Sequence, residues 1–187
     1  MALTLPNVLT LSRIAVIPVL VALLYFTSFW ASWLALVLFV AAAVTDWLDG
    51  HLARKYGDTS PVGRFLDPIA DKLMVAAVVV MLVASQRVTG LVVLPALVIL
   101  CREILVSGLR EHLAEIRVPM PVTRMSKWKT SLQMVALGVL IVGEAGPALL
   151  PVRLIGEIGL WAAGALTLVT GADYLVNGLK RMQARGA

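Results

Sequence analysis

The sequence predicts an all-α integral membrane protein with six transmembrane helices. Three observations predict this class: the 187 residues are 60% hydrophobic and only 14% charged, apolar stretches of about 20 residues recur, and strict two-residue alternation is missing. Because the bilayer core offers backbone groups no hydrogen-bond partner, such a chain crosses it as helices. A soluble domain, with about 45–50% apolar residues, is excluded. A disordered chain and a nucleic-acid-binding module are excluded as well.

Six spans can be placed between segments that carry turn-forming residues. The breaks are 27–28, 57–63 with Pro61, 86–90, 119–121 and 143–151. The spans then cover 7–26, 32 to about 56, 67–86, 90 to about 110, 126–143 and 155–177. We expect residues 1–187 to form a single membrane domain.

The charged residues are divided unevenly between the two ends of these spans. Every Lys and Arg lies at one end except Arg87 and Arg153, at the other end, and Arg102, inside the fourth span. Cytoplasmic loops carry the excess of Lys and Arg, so both termini and the second and fourth breaks are expected in the cytoplasm. Most acidic residues lie at the same end, which that rule does not require.

Four aspartates are spaced so that a helical hairpin would bring them together. Asp46 and Asp49, at i and i+3, share a face of the second helix, and Asp67 and Asp71, at i and i+4, share a face of the third. Four carboxylates at a bilayer edge repel one another and are costly to desolvate, so some would have to take up protons unless cations hold them. Oxygen ligands select Mg²⁺ or Mn²⁺ before Zn²⁺. A pair of such ions suits phosphoryl chemistry.

Two residues almost without side chains lie on the same face as the first aspartate pair. Gly50 and Ala53 fall within about 40° of Asp46 around the helix. They would let a nucleotide or diphosphate approach the metals. Small residues also serve close helix packing, so both interpretations stay open.

The order Asp46-x2-Asp49-Gly50-x2-Ala53-Arg54-x8-Gly63-x3-Asp67-x3-Asp71 resembles, at every defined position, the signature of the CDP-alcohol phosphotransferase family. This resemblance implies transfer of a phosphatidyl or similar group from a CDP-linked donor to an alcohol, with release of CMP and use of divalent metal. It also implies that all four aspartates ligate metal, with Asp71 as general base. The residues that it assigns to the CDP site are Gly50, Ala53, Arg54 and Gly63.

Three further segments, 6–13, 101–111 and 126–134, look like the branch of this family whose acceptor is glycerol 3-phosphate. The likeness implies CDP-diacylglycerol as donor and membrane lipid around the protein. The family also suggests a homodimer. Other acceptors, namely serine, an inositol phosphate or phosphatidylglycerol, stay open. So does a divalent-cation transporter, although that function would place acids deep in several spans.

Basic residues near the same end fit an anionic acceptor. Arg102 lies about two helical turns, roughly 12 Å, inward from Arg110, where an unpaired charge is costly; an ion pair with Glu103 would also explain it. Lys127 and Lys129 begin the fifth helix, where the macrodipole disfavours cations, although positive-inside topology also accounts for them. The cluster expected to face the metals and hold the acceptor's phosphate is Arg102, Arg110, Arg124, Lys127 and Lys129.

The first helix contributes two polar residues on the cytoplasmic side. Thr10 and Arg13 are expected to bind the nucleotide or diphosphate of CDP. Interfacial anchoring of the helix explains them equally well, and the sequence does not choose between the two.

Overall fold

The computed structural model describes residues 5–56, 61–116, 118 and 123–186. For residues 5–7, 47, 49–56, 61–65 and 183–186 it describes the backbone alone. The described residues form helices and no strand, which confirms the all-α class. The α-helices are α1 (Leu5–Tyr25), α2 (Phe29–Tyr56), α3 (Pro61–Ala84), α4 (Val93–Glu115), α5 (Arg124–Val142) and α6 (Val152–Gly186).

Four helical segments in the described part are long and apolar enough to cross a membrane. They are Val8–Tyr25, Phe29–Asp46, Gly90–Glu115 and Val152–Met182. The chain therefore has the features of an integral membrane protein. Helices α3 and α5 have 24 and 19 residues, but charged residues are concentrated near the start of each. The six-span topology stays a prediction.

The predicted and the observed helix bounds differ most at two places. Helix α3 begins at Pro61, so the second break is shorter than 57–63; proline is favoured at the first helical position, where no N–H is needed. Helix α6 continues past residue 177 to Gly186, because a helix need not stop where its apolar run stops. The break at 119–121 lies outside the described residues.

The chain divides into two compact units. The first comprises Met1–Val88 and Gly138–Arg153, and in it α1 packs against both α2 and α3. Arg87 connects separate segments at one end of this unit. Its guanidinium donates hydrogen bonds to the carbonyls of Ile141 and Phe26 and to Ser32 Oγ. Burial lowers the pKa of Arg87 from its ordinary value, an effect that the Glu144 carboxylate opposes.

Exposed aromatic side chains surround the connection between α1 and α2. Tyr25 meets Phe26 edge to face, and Phe29 contacts both Trp30 and Trp33. Trp30 is 80% exposed, while Trp33 Nε1 donates to the carbonyl of Ala145 at 3.1 Å. Aromatic residues concentrate where a membrane meets water. This end of the first unit therefore fits a bilayer interface.

The second unit comprises Thr89–Leu137 and Leu154–Ala187. Helices α4 and α6 pack closely in it through three glycines of α6, each separated by seven residues. A methyl group on any of these glycines would lie 2.7–2.9 Å from α4. Because the partners on α4 are also seven residues apart and increase in the same direction, the two helices run parallel. The pairs are Gly164 with Pro95, Gly171 with Arg102, and Gly178 with Leu109.

Candidate active site

Helix α1 brings two of the predicted aspartates together in the first unit. Arg13 Nη1 lies 2.8 Å from Asp46 Oδ1 of α2 and 3.0 Å from Asp71 Oδ1 of α3. Since one nitrogen contacts both oxygens, these oxygens are no further apart than the two distances added. The helical hairpin predicted from the sequence thus places one member of each aspartate pair beside the other.

A third aspartate is held from the same face of α1. Thr10 Oγ1 donates to Asp67 Oδ1, one helical turn from Asp71. Thr10 and Arg13 are three residues apart and therefore share a helix face, which explains how one helix serves both aspartates of α3. The structure places Thr10 and Arg13 against the carboxylates. Their predicted role in CDP binding stays a prediction.

The side chains of this cluster differ in how far they are exposed to solvent. The side chain of Arg13 is fully buried, whereas those of Asp46 and Asp71 are 39% and 47% exposed. A buried guanidinium is costly unless it is paired, and here the carboxylates supply the pairing. The same carboxylates remain accessible to a ligand.

The chemistry of the cluster fits a divalent cation. Carboxylate oxygens are hard ligands of the kind that Mg²⁺ and Mn²⁺ prefer, and Asp46 and Asp71 already share one positive group, Arg13. Among the described side chains, no three acidic, His or Cys residues are grouped closely enough to hold one ion. The side chain of Asp49 is not among those that the structure describes. The complete ligand set is therefore a proposal.

The predicted CDP-binding residues other than Thr10 and Arg13 belong to the ends of two helices. Gly50, Ala53 and Arg54 are in the last turns of α2, and Gly63 is in the first turn of α3. Their surroundings lie outside the described part of the structure. Their role stays a prediction.

Of the five basic residues predicted to hold the acceptor's phosphate, the structure brings two together in the second unit. Arg102 Nη1 lies 3.4 Å from Glu103 Oε1, and Lys129 Nζ contacts the same oxygen. The ion pair that the sequence left open is therefore present. Lys129 is 1% exposed and is neutralised by this pair. The guanidinium of Arg102 is only partly satisfied.

The other three predicted cations have a different environment. Arg110, Arg124 and Lys127 are all exposed. Within the part of the chain that the structure describes, none of the three forms a salt bridge. They are available to an anion.

Arg102 has a partner that sequence reasoning missed. Its guanidinium carbon lies 5.4 Å from the ring centroid of Tyr174 on α6, within the range of a cation–π contact. Its Nε and Nη2 atoms are buried without a hydrogen-bond partner among the described residues. A tyrosine in an apolar helix looks like a core residue. The available signal was the seven-residue spacing of glycines in α6, which matches that of Pro95, Arg102 and Leu109 in α4.

Comparison with known proteins agrees with the aspartate signature. The family model described as CDP-alcohol phosphatidyltransferase matches residues 3–169. A curated protein of Rickettsia typhi, named CDP-diacylglycerol–glycerol-3-phosphate 3-phosphatidyltransferase, is 48% identical over 170 residues, covering 91% of this chain and 94% of that protein.

Two relatives of lower sequence identity, from other bacteria, have the same name. The protein of Pseudomonas fluorescens is 44% identical and covers 91% of this chain and 87% of its own length. That of Cereibacter sphaeroides is 39% identical, with 94% and 96% covered. The family match alone, or these identities alone, would be enough to assign the sequence to a family. The chain belongs to the CDP-alcohol phosphatidyltransferase family.

Proposed function

We propose that this protein transfers the phosphatidyl group of CDP-diacylglycerol to glycerol 3-phosphate, forming phosphatidylglycerophosphate and CMP. The observation that carries the proposal is 48% identity, over nearly the full length of both chains, to a curated protein named for this reaction. Asp46, Asp67 and Asp71 belong to the family signature, and all three contact side chains on one face of α1. This arrangement supports the proposal.

The metal site would be formed by the signature aspartates. Asp46, Asp67 and Asp71 are positioned by α1, and Asp49 shares a helix face with Asp46. We expect these four to hold two divalent ions, Mg²⁺ or Mn²⁺. Such ions neutralise negative charge on a transferring phosphoryl group and its leaving group.

Asp71 would act as the general base. Its carboxylate is half-exposed and held at one oxygen by Arg13, so the remaining oxygen is free to accept the proton of the acceptor's primary hydroxyl. As that proton leaves, the hydroxyl oxygen forms a bond to the phosphorus that bears diacylglycerol. The bond from this phosphorus to the oxygen of CMP breaks, and CMP departs. Gly50, Ala53, Arg54 and Gly63 would line the CDP site, with Thr10 and Arg13 adjoining it.

The acceptor's phosphate would be bound by basic residues of the second unit. The Nε and Nη2 atoms of Arg102 form one edge of the guanidinium, and such an edge can donate two parallel hydrogen bonds to a phosphate. Both atoms lack a partner among the described residues. Arg110, Arg124 and Lys127 would add positive charge, and Lys129 would set the position of Glu103.

The bacterial relatives support a location in a bacterial inner membrane. With six spans, the distribution of Lys and Arg would put the aspartates at the cytoplasmic face. The acyl chains of the donor would then stay in lipid while its head group reaches the metal site. The homodimer rests on family likeness alone.

The experiment is an acceptor panel with the purified full-length protein. CDP-diacylglycerol and Mg²⁺ or Mn²⁺ are supplied with glycerol 3-phosphate, serine, an inositol phosphate or phosphatidylglycerol in turn, and release of CMP is measured. We expect rapid release with glycerol 3-phosphate alone. Preference for another alcohol would overturn the acceptor, and absence of CMP release with every alcohol would overturn the reaction.

A further inference from the structure

The side chain of Arg102 is held by three neighbours within the second unit. Glu103 takes one end of the guanidinium at 3.4 Å, and the ring of Tyr174 lies 5.4 Å from its central carbon. Gly171 lies against the aliphatic stem, where a methyl group at position 171 would come within 2.9 Å of Arg102 Cγ. These contacts restrict the rotation of the side chain. They leave its Nε and Nη2 atoms without a partner in the described structure.

Tyr174 also fixes the beginning of α5. Its hydroxyl oxygen accepts a hydrogen bond from the backbone N–H of Thr123 at 3.3 Å. Thr123 in turn caps the helix, because its Oγ1 accepts from the N–H of Ser126 at 3.2 Å. Arg124 and Lys127 both lie at the start of this helix. One tyrosine, 4% exposed, thus contacts Arg102 on α4 and the helix start that carries two further cations.

We infer that Tyr174, assisted by Gly171, is a positioning residue for the acceptor's phosphate. The ring keeps the guanidinium of Arg102 in the orientation that leaves its Nε–Nη2 edge for two hydrogen bonds. The hydroxyl holds the start of α5 in place. This inference rests on the proposed function, in which a phosphomonoester is the acceptor. Both residues follow residue 169, where the family match ends, so the family signature does not assign them.

The test separates binding of the two substrates. CMP release by the full-length protein is measured against glycerol 3-phosphate at saturating CDP-diacylglycerol, and against CDP-diacylglycerol at saturating glycerol 3-phosphate. Tyr174→Leu removes the ring and should raise the KM for glycerol 3-phosphate roughly 5–30-fold, the range that a cation–π contact supplies. The kcat and the KM for the donor should change by less than about threefold, because the aspartates are untouched. Tyr174→Phe keeps the ring and should restore most of the affinity.

Two glycine variants form a matched pair. Gly171→Ala places a methyl group against the stem of Arg102 and should raise the KM for glycerol 3-phosphate as Tyr174→Leu does. Gly178→Ala makes the same change one heptad later, against Leu109 Cδ2 at 2.8 Å, where a flexible side-chain end can rotate away. It should leave both KM values unchanged.

The outcomes distinguish the inference from the proposed function. Suppose that the wild type uses glycerol 3-phosphate. If Tyr174→Leu then raises the KM values for both substrates equally, or raises neither, the positioning role is wrong, while the proposed reaction stands. If Tyr174→Leu does not fold, Gly171→Ala decides: a KM for glycerol 3-phosphate equal to that of Gly178→Ala overturns the inference. A wild type that releases no CMP with glycerol 3-phosphate overturns both.

Discussion

Replacing Arg13 with alanine should destabilise the protein, and the loss should be larger when divalent metal is removed. The guanidinium is fully buried and contacts Asp46 and Asp71 at 2.8 and 3.0 Å. Removing one partner of a buried ion pair costs about 3–5 kcal/mol. Because the two carboxylates are 39% and 47% exposed, solvent screens part of this, and we expect about 2–3 kcal/mol.

The reason for the metal dependence is charge compensation at the same carboxylates. Without Arg13, Asp46 and Asp71 repel each other unless another positive charge is present. Mg²⁺ or Mn²⁺ would supply that charge, so saturating metal should reduce the difference between variant and wild type to less than half.

The assay is thermal unfolding of the purified proteins in one detergent, with EDTA or with millimolar Mg²⁺. For a chain of this length, 1 kcal/mol corresponds to about 2–4 °C in Tm, so Arg13→Ala should lower the Tm by about 4–12 °C in EDTA. Ser12→Ala is the control, since this exposed neighbour bonds to the carbonyl of Leu9 and touches no carboxylate in the described structure. Equal Tm losses in EDTA and in Mg²⁺ would refute the reasoning.

Three further predictions concern catalysis and packing. Asp71→Asn should lower kcat by about 10²–10⁴, the usual contribution of a general base, while CDP binding stays measurable by titration; retention of most activity would show that another group takes the proton. Arg87→Ala should reduce the free energy of unfolding by about 2–4 kcal/mol, because three hydrogen bonds to a charged group are lost, with both KM values unchanged; an unaltered thermal transition would contradict this. Gly164→Ala should destabilise more than Gly178→Ala, since the methyl group would meet the rigid ring of Pro95 at 2.7 Å; equal Tm values for the two variants would disprove it.

The helical class and the position of the aspartates could be predicted because they depend on local sequence. Apolar runs separated by turn residues define helices in a bilayer. The spacing of Asp46 from Asp49, and of Asp71 from Asp67, predicts that each pair shares one face of its helix. The ends of helices were harder to predict. Hydropathy marks where a chain leaves the membrane, and α6 continues beyond that point to Gly186.

Contacts between helices distant in sequence account for what the sequence did not predict. The sequence predicts Arg13 as a CDP ligand or an interfacial anchor, but the packing of α1 against α2 and α3 buries it between two aspartates. Lys129 similarly looks like a phosphate ligand, but the packing of α4 and α5 places it on Glu103. Partner choice among charges depends on three-dimensional distance, which periodicity within one helix does not contain.

The aromatic residues at the start of α2 bear on where the aspartates lie relative to the hydrocarbon core of the bilayer. Phe29 begins this helix and Asp46 lies seventeen residues later on it, which at 1.5 Å per residue is about 26 Å along the axis. The hydrocarbon core is about 30 Å thick. With the rings anchored at one interface, Asp46 lies within one helical turn of the opposite hydrocarbon boundary. In the proposed reaction, the phosphates of a lipid-linked donor would reach the carboxylates at that level while its acyl chains stayed in the membrane.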